Sequence, residues 1–251
     1  MCANYIPVTS ADRLLTFFGV SRTRDEVALD VFPSGLAPMI RLASNDSTTP
    51  PELIVHDAIF RFVPDFIAKV DWARKTFNAR SETVDSKPTY APAWRAGQRC
   101  IIPTEGFYEP KHEDSKSIRW AFNLPSGVPM GIAGIYKPWT TPDGREMFGM
   151  SMLTVNADDH PLMNQFHAPG DEKRMVIILD PSEYSDWLSC PVSEAKKYFK
   201  QWCKPLDAYP APLPPRAPRA SRVSTAGPKK PPKPKAERTL PPAPPQNGEL
   251  F

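Results

Sequence analysis

Proline is concentrated at one end of this chain, and this concentration limits how much of the sequence can fold. The chain of 251 residues contains 32 prolines. From Lys204 onward the sequence KPLDAYPAPLPPRAPRASRVSTAGPKKPPKPKAERTLPPAPPQNGELF interleaves proline with alanine, lysine and arginine. Large apolar side chains are so scarce there that burial cannot offset the entropy lost on ordering. We therefore predict a folded domain over residues 1–203 and a disordered, basic, proline-rich tail over residues 204–251.

The net charge divides at the same point. Residues 204–251 hold nine Lys or Arg and three Asp or Glu, a net charge of +6, which leaves 22 basic and 25 acidic residues in residues 1–203. A cationic arm of this kind commonly binds nucleic acid, but it can equally be a solubilising tether. Because the folded part is not globally basic, any nucleic-acid site within it must be a local patch.

The cysteines and histidines exclude several classes of site. The four cysteines include no CxxC pair and the four histidines no HExxH pair, so we expect no metal and no cofactor. No apolar run approaches the roughly 20 residues that span a bilayer, and no basic segment precedes LLTFFGV as it would in a signal peptide. The sequence predicts a cytoplasmic, monomeric protein without membrane contact.

Many short apolar segments separated by turns predict the fold class. The strand candidates are rich in apolar and β-branched residues: LAPMIRLAS, PELIVHDAIFRFVP, QRCIIPTEGFYEP, FGMSMLTVNA and EKRMVIILD. A hairpin is expected around PSG at residues 125–127, with a second turn at TPDGREM. The helix candidates are short: ADRLLTFFG, closed by Gly19, then PSEYSDWLSC and SEAKKYFKQWCK, with Ser182 and Ser193 as N-caps. Without a βαβ rhythm, we predict an α+β fold with a β-rich, barrel-like antiparallel or mixed sheet core and a few peripheral helices.

The second residue gives the first indication of chemistry. Methionine is usually removed before a small residue, so the mature chain would present the α-amine and the thiol of Cys2 side by side. The amine has a reference pKa of about 7.7–8.0 and the thiol one of about 8.5. An internal cysteine cannot supply this 1,2-aminothiol. The alternative, that position 2 merely tolerates any small residue, stays open at this point.

Three polar segments interrupt the apolar strands, namely NARSET at residues 78–83, EGFYEP at 105–110 and NQFHAPGDEKRM at 164–175. Each places ionisable or amide groups at the ends of strands, where loops on a rigid scaffold carry function. Taken singly, each has a plain structural explanation, such as a turn cap, a surface ion pair or an ordinary loop histidine.

Taken together, these motifs resemble a known family. MC at the start, LAP at 36–38, NARSET, RCIIPTEGFYE, IAGIY and H…RMVIIL occur in the order typical of the SOS-response-associated peptidase (SRAP) family, whose members shield abasic sites in DNA. The resemblance runs from Cys2 to about Trp187, and the tail lies outside it.

The resemblance implies a covalent reaction with abasic sites in single-stranded DNA. The open-chain sugar is an aldehyde, so the Cys2 amine would form a Schiff base and the thiol would then close a stable thiazolidine. The resemblance implies an SRAP-type enzyme with a lyase-like DNA-crosslinking activity. The family's name also implies a peptidase activity, which would remove Met1 from the protein itself. It would protect single strands and single-to-double-strand junctions during replication and the SOS response, at the nucleoid after damage.

The resemblance also implies roles for three site residues besides Cys2. Glu109 would be the acid/base for sugar ring opening and imine formation, with Glu105 as the rival carboxylate. His167 would assist at the same sugar. Asn78 would hold the amino terminus or a sugar hydroxyl by hydrogen bonds.

Four further residues would contact DNA. Arg80 would grip a flanking phosphate with its planar fork, and Arg174 would add a second basic contact. Pro38 and Phe107 would wedge against neighbouring bases. The chain departs from the family's Met-Cys-Gly-Arg start at Ala3 and Asn4, which bears on DNA affinity more than on the reaction type.

Two other functions and one further partner remain open. Cys2 could serve a thiol amidohydrolase or a self-processing peptidase. Alternatively, the protein could be a non-catalytic DNA-binding module whose basic tail does most of the binding, with strong salt dependence. The terminal QNGELF resembles the peptides that dock on the bacterial sliding clamp, which makes the clamp a candidate partner beside an unremarkable C-terminus.

Overall fold

The computed structural model describes residues 2–23, 30–43, 52–62, 75–114, 116–140 and 144–214. Most of the predicted tail, including QNGELF, lies outside these described residues, so its disorder and its binding to DNA or to the sliding clamp stay predictions. Within the described residues, no helix is long and apolar enough to cross a membrane.

Strands dominate the part of the chain that the structure describes. The strands are β1 (Tyr5–Pro7), β2 (Leu36–Leu42), β3 (Leu53–Phe60), β4 (Asn78–Arg80), β5 (Arg99–Glu113), β6 (Lys116–Asn123), β7 (Met130–Thr140), β8 (Glu146–Asn156), β9 (Arg174–Val176), β10 (Ile178–Leu179) and β11 (Asp207–Pro210). The helices are α1 (Ala11–Phe18), α2 (Ala91–Arg95) and α3 (Tyr184–Ser189), with single 3-10 turns between elements.

Five of the strands close into a barrel. Neighbours pair in the order β5, β2, β3, β8 and β7, and β7 returns to pair with β5. The β3–β8 pairing is parallel and the other pairings in the ring are antiparallel. These strands carry fully buried apolar side chains, among them Met39, Ile40, Phe60, Ile132 and Met152. The predicted α+β fold with a β-rich, barrel-like mixed core is confirmed.

A β-bulge divides β5 into two halves. Opposite β1, Ile6 pairs with Gly106 and Pro7 pairs with Thr104, so Glu105 is the extra residue. An extra residue bends a strand and redirects its side chains. The strand therefore bends away from the barrel wall at Glu105, four residues before Glu109.

The hairpin predicted around PSG is wrong, because β6 and β7 pair with different halves of β5 instead of with each other. The first half of β5, up to Thr104, pairs with β7, and the second half, from Phe107, pairs with β6. Pro125–Gly127 form a 3-10 turn that carries the chain from one half to the other. β7 and β8 pair antiparallel as far as Thr140 and Glu146, and the first three residues of the predicted turn TPDGREM, residues 141–143, lie outside the described residues.

The helix predictions are partly confirmed. Ser10 caps α1, and Gly19 ends it in the left-handed conformation at φ 69°. The turn before α3 begins at Asp180, whose backbone N–H donates to Glu183, and not at Ser182. SEAKKYFKQWCK forms only a 3-10 turn at Ala195–Tyr198, whose two buried side chains lie three residues apart, as that helix type requires.

The strand β11 lies inside the segment assigned to the tail. Asp207–Pro210 pairs antiparallel with β6, and the Tyr209 hydroxyl donates to Oδ1 of Asn123 at 3.0 Å. The β6 edge would otherwise expose unpaired backbone groups, and β11 covers it. A single strand of four residues next to several prolines has too weak a pattern to be recognised in a proline-rich sequence.

Atoms of Phe122 and Asn123 lie so close to the Cα of Gly106 that no larger residue fits there without displacing them. Gly106→Ala is therefore expected to lower the free energy of unfolding by about 1–3 kcal/mol. A Cβ at Gly106 would lie 2.4 Å from Nδ2 of Asn123 and 3.0 Å from the backbone oxygen of Phe122. The Asn123 amide, which donates to the Glu105 carbonyl at 2.8 Å, would have to move. Urea denaturation of both proteins measures the loss, and equal transition midpoints would contradict the prediction.

Candidate active site

Pairing between β1 and β5 brings Cys2 to the EGFYEP segment. Tyr5 lies opposite Phe107, and the backbone N–H of Tyr108 donates to the carbonyl of Asn4 at 3.1 Å. The residues before β1 therefore run alongside the residues that follow Phe107. Cys2 is fully buried there, and its thiol donates to the Asn4 carbonyl with a donor–acceptor distance of 3.4 Å.

The surroundings of Cys2 keep its thiol protonated. In the chain that retains Met1, burial and then the negative charge of Glu109 raise the pKa of Cys2 to about 12. Both causes disfavour the thiolate. The thiol consequently carries its proton near neutral pH and must give it up during any bond-forming step, with Glu109 among the groups near enough to influence it.

Glu109 and His167 form a buried pair. The Nε2 atom of His167 lies 3.2 Å from Oε2 of Glu109, and only 1% of the Glu109 side chain is exposed. His167 has a left-handed backbone with φ 67°, which is rare outside glycine. Its backbone N–H donates to the Pro110 carbonyl at 2.7 Å, and a β-bridge joins it to Lys111. Backbone strain of this kind clusters at functional sites, where the surrounding structure enforces it.

Asn78 connects β4 to the N-terminus. Its Nδ2 donates to the Cys2 carbonyl at 2.7 Å, and Tyr90 donates its hydroxyl to the Asn78 carbonyl at 3.0 Å. The Oδ1 atom of Asn78 is buried and has no hydrogen-bond partner among the described residues. Once Met1 is removed, this oxygen is an available acceptor for the new α-amine of Cys2.

The structure separates the two rival carboxylates. Glu105 forms a bidentate ion pair with Arg13, with both N–O distances at 2.7 Å, at the bulge of β5. Arg13 also donates to the Gly127 carbonyl at 2.8 Å. Glu105 is thereby committed to joining α1 to the sheet, and Glu109 is the carboxylate beside Cys2 and His167.

Arg80 lies on the same face of β4 as Asn78, because side chains two residues apart on a strand point the same way. Its side chain is 46% exposed, and its Nη1 lies 2.5 Å from Oε2 of Glu172. The guanidinium is therefore positioned beside the site and accessible to a ligand, but it is paired in this structure.

Arg174 has a different environment from the one predicted. The side chain is 2% exposed, and its guanidinium makes a bidentate ion pair with Glu82 at 2.9 Å for both contacts. It also donates to Glu172 at 2.6 Å and to the Thr154 carbonyl at 2.7 Å. This placement does not support a direct DNA contact from Arg174 and gives it the role of holding β9 to β8 and to the NARSET loop.

The two predicted base wedges are also inside the protein. Phe107 is fully buried and stacks on Phe122 with ring centroids 5.0 Å apart, and Pro38 is buried within β2. Neither presents an edge to solvent, so the placement does not support the wedge role. The exposed apolar side chains nearby belong instead to Phe32 and Leu36, next to Val31, which is bridged to Tyr5.

A cavity of about 240 Å³ is lined by Glu109, Asn4, Tyr108 and Arg119, among others. Arg119 stacks on the Tyr108 ring with 3.3 Å from the guanidinium carbon to the centroid, and it forms an ion pair with Asp30. Motifs did not reveal Arg119 or Asp30. Only the register of β6 on β5, which sets Arg119 opposite Pro110, brings Arg119 here.

The donor atoms of this site do not resemble a metal centre. Among the described residues, no group of three or more His, Cys, Asp or Glu side chains is arranged to hold a metal ion.

Comparison with known proteins gives a consistent family. The family model described as SOS response associated peptidase (SRAP) matches residues 1–215. The abasic site processing protein YoqW of Bacillus subtilis is 33% identical over 135 residues, which cover 53% of this chain and 56% of YoqW. The abasic site processing protein HMCES of Gallus gallus is 27% identical over 180 residues, 59% of this chain and 50% of HMCES. The chain thus spans about half the length of these relatives.

Two solved structures share the fold. A protein from Bordetella bronchiseptica is 32% identical and superposes with a TM-score of 0.75, covering 84% of this chain and 100% of that one. A protein from Bacteroides thetaiotaomicron is 23% identical with a TM-score of 0.68, covering 83% and 91% of the two chains, and shows the fold alone.

Proposed function

This chain belongs to the SOS response associated peptidase family, and from this we propose that it processes abasic sites in DNA by bonding to them covalently through Cys2. One observation carries the proposal: Cys2, Asn78, Glu109 and His167 are buried in one site, with Asn78 on the Cys2 carbonyl and His167 on Glu109. The relatives named abasic site processing proteins support the same substrate. The proposed product is a thiazolidine that joins the nitrogen and sulfur of Cys2 to C1′ of the sugar.

Removal of Met1 prepares the nucleophile. It frees the α-amine of Cys2 while the Asn78 amide still holds the Cys2 carbonyl, and the unpaired Oδ1 of Asn78 is left to accept a hydrogen bond. A neutral amine is required for attack, and an α-amine with a pKa of about 7.7–8.0 supplies a useful fraction of it near neutral pH.

Sugar ring opening needs a proton to leave one oxygen and another to arrive. Glu109 takes the proton of the C1′ hydroxyl as the bond from C1′ to the ring oxygen breaks, and His167 in its protonated form supplies a proton to that ring oxygen. Nε2 of His167 lies 3.2 Å from Oε2 of Glu109 without being aligned as a hydrogen bond, so the proton passes between them afterwards once a side chain rotates. Positioned acid–base groups of this kind accelerate such steps by roughly 10²–10⁴-fold.

Imine formation and ring closure complete the bond. The amine adds to the C1′ aldehyde, and one amine proton passes to the new oxygen. That hydroxyl leaves as water with a proton from Glu109, and the Glu109 carboxylate then takes the remaining N–H proton, which gives a neutral Schiff base. The Cys2 sulfur then attacks C1′, and the thiol proton ends on the former imine nitrogen. One water is released overall, and C1′ keeps both the nitrogen and the sulfur.

The protonated thiol bears on the rival function. A cysteine peptidase attacks with a thiolate, whose pKa is lowered by its surroundings. In the chain that retains Met1, burial and Glu109 raise the pKa of the Cys2 thiol. That environment favours a thiol that reacts late, after the amine has captured the aldehyde, over a nucleophile that cleaves peptide bonds.

DNA contacts in the proposal come from the half-exposed Arg80, which would bind a phosphate flanking the abasic sugar. Phosphate contacts position a strand without reading its sequence. Because the sugar has to enter a buried site, the protein should prefer single strands and single-to-double-strand junctions.

The test is a denaturing gel of the purified protein with a single-stranded oligonucleotide bearing one abasic site. We expect a shifted band with this oligonucleotide and none with the undamaged one, and a mass equal to protein plus DNA minus one water. A protein of residues 1–214 should give the same band, since the described folded unit ends at Leu213. Absence of the band from protein whose intact mass shows that Met1 is gone would contradict the proposal. Loss of the band in residues 1–214 alone would show that the covalent reaction depends on DNA binding by the tail.

A further inference from the structure

One carboxylate bridges two arginines beside the site. Oε2 of Glu172 lies 2.5 Å from Nη1 of Arg80, and Oε1 of Glu172 lies 2.6 Å from Nη1 of Arg174. The Asn156 amide also donates to Oε1 at 3.2 Å. Hydrogen bonds and charges from Arg174, Asn156 and Arg80 outweigh partial burial and lower the pKa of Glu172, so the bridge is ionised near neutral pH.

The two arginines depend on Glu172 to different degrees. Arg174 is buried and remains held by Glu82 and by the Thr154 carbonyl if Glu172 lets go. Arg80 is 46% exposed, and it forms an ion pair with Glu172. Exposed ion pairs are weak, commonly worth about 1 kcal/mol or less. Another anion can therefore take Arg80 away from Glu172 at little cost.

Release of Arg80 would not leave Glu172 without partners. Its Oε1 keeps the contacts with Arg174 and Asn156 when Oε2 gives up Arg80. The exchange replaces one ion pair with another and strands no buried charge, which is the condition for a reversible swap.

We propose that Glu172 is an internal competitor for the anion-binding fork of Arg80: it holds the guanidinium in the free protein, and a DNA phosphate must displace it. This inference rests on the proposed function. The competition makes the protein selective for damaged DNA. An undamaged strand offers only phosphates, so it is bound more weakly than it would be if the Arg80 guanidinium were not paired with Glu172. An abasic strand is retained regardless, because Cys2 bonds to it.

The first test measures equilibrium binding of an undamaged, fluorescently labelled single-stranded oligonucleotide by anisotropy. Asp171→Asn is the matched control for Glu172→Gln. Asp171 is the preceding residue and its side chain is exposed, so the control removes one negative charge at nearly the same place. We expect Glu172→Gln to bind the oligonucleotide about two- to five-fold more tightly than Asp171→Asn, because an exposed ion pair of this strength no longer has to be broken. In an Arg80→Ala background, the two variants should bind equally.

The second test needs no DNA. Phenylglyoxal modifies accessible guanidinium groups, and peptide mass mapping reports each arginine separately. Glu172→Gln should raise the rate of modification at Arg80 relative to Asp171→Asn and leave Arg174 protected by Glu82.

The outcomes separate the inference from the proposed function. Equal DNA affinity of Glu172→Gln and Asp171→Asn overturns the inference, even if the abasic crosslink forms normally. Weaker binding by Glu172→Gln also overturns it and makes Glu172 a group that orients Arg80 for the phosphate. A third outcome is that Arg80 is modified faster in Glu172→Gln but no variant binds DNA. This would confirm the ion pair between Glu172 and Arg80 and overturn the competition with phosphate. It would also count against the proposed function.

Discussion

A Cys2→Ala protein is expected to give no denaturation-resistant complex with abasic single-stranded DNA. Alanine is small enough for Met1 still to be removed, so the variant keeps the α-amine and loses only the thiol. The amine can then form a Schiff base, which water hydrolyses, but no second heteroatom closes a ring at C1′. The measurement is the shifted band on a denaturing gel, repeated with borohydride, which should reduce the Schiff base and restore a band to the variant.

Cys203 provides the control for loss of a thiol. It is exposed, whereas Cys2 is buried in the site, so Cys203→Ala should crosslink like the wild type. A persistent band from Cys2→Ala without borohydride would contradict the thiazolidine. It would mean that the amine alone, or another nucleophile, makes the stable bond.

Glu109→Gln is expected to slow crosslink formation by about 10²–10⁴-fold while the protein stays folded. Glutamine keeps the size of the side chain but can neither accept the hydroxyl proton of the sugar nor return it to the departing water. The rate is measured by quenching samples over time onto a denaturing gel at saturating protein. The charge of Glu109 contributes to the raised pKa of Cys2, so the variant should also have a lower thiol pKa, measurable by the pH dependence of thiol alkylation.

Glu105→Gln is the matched control, four residues earlier on the same strand. It weakens the ion pair with Arg13, which is partly exposed, so stability should fall by about 1 kcal/mol or less and the crosslinking rate should stay near that of the wild type. Equal slowing by both variants would show that the effect comes from charge on this strand and not from a proton transfer at Glu109.

Short motifs predicted the members of the candidate site better than its geometry. Cys2, Asn78 and Glu109 each stand in a segment with a distinctive order of residues, and the structure brings all three together. The choice between Glu105 and Glu109 depends on the bulge at Glu105, which follows from pairing with β1 and has no local sequence signal.

The sequence could not predict which of the proposed DNA-contacting side chains are buried. Arg174, Phe107 and Pro38 have side chains common in DNA-binding surfaces, but long-range pairing places all of them inside the fold. The strand order shows the same limit: alternating apolar residues predicted most strands, whereas the pairing of β6 and β7 with opposite halves of β5 depends on contacts distant in sequence.

The burial of Cys2 has a consequence for oxidative chemistry. Peroxides and alkylating agents react with thiolates that they can reach, and sulfenic acid forms most readily at exposed cysteines of low pKa. The Cys2 thiol is fully buried and its pKa is raised to about 12, whereas Cys203 is exposed. An oxidant therefore meets Cys203 first, and the thiol to which we assign ring closure is protected from oxidation. The same burial that makes Cys2 slow as a general nucleophile would preserve its thiol under oxidising conditions for the proposed reaction with an aldehyde.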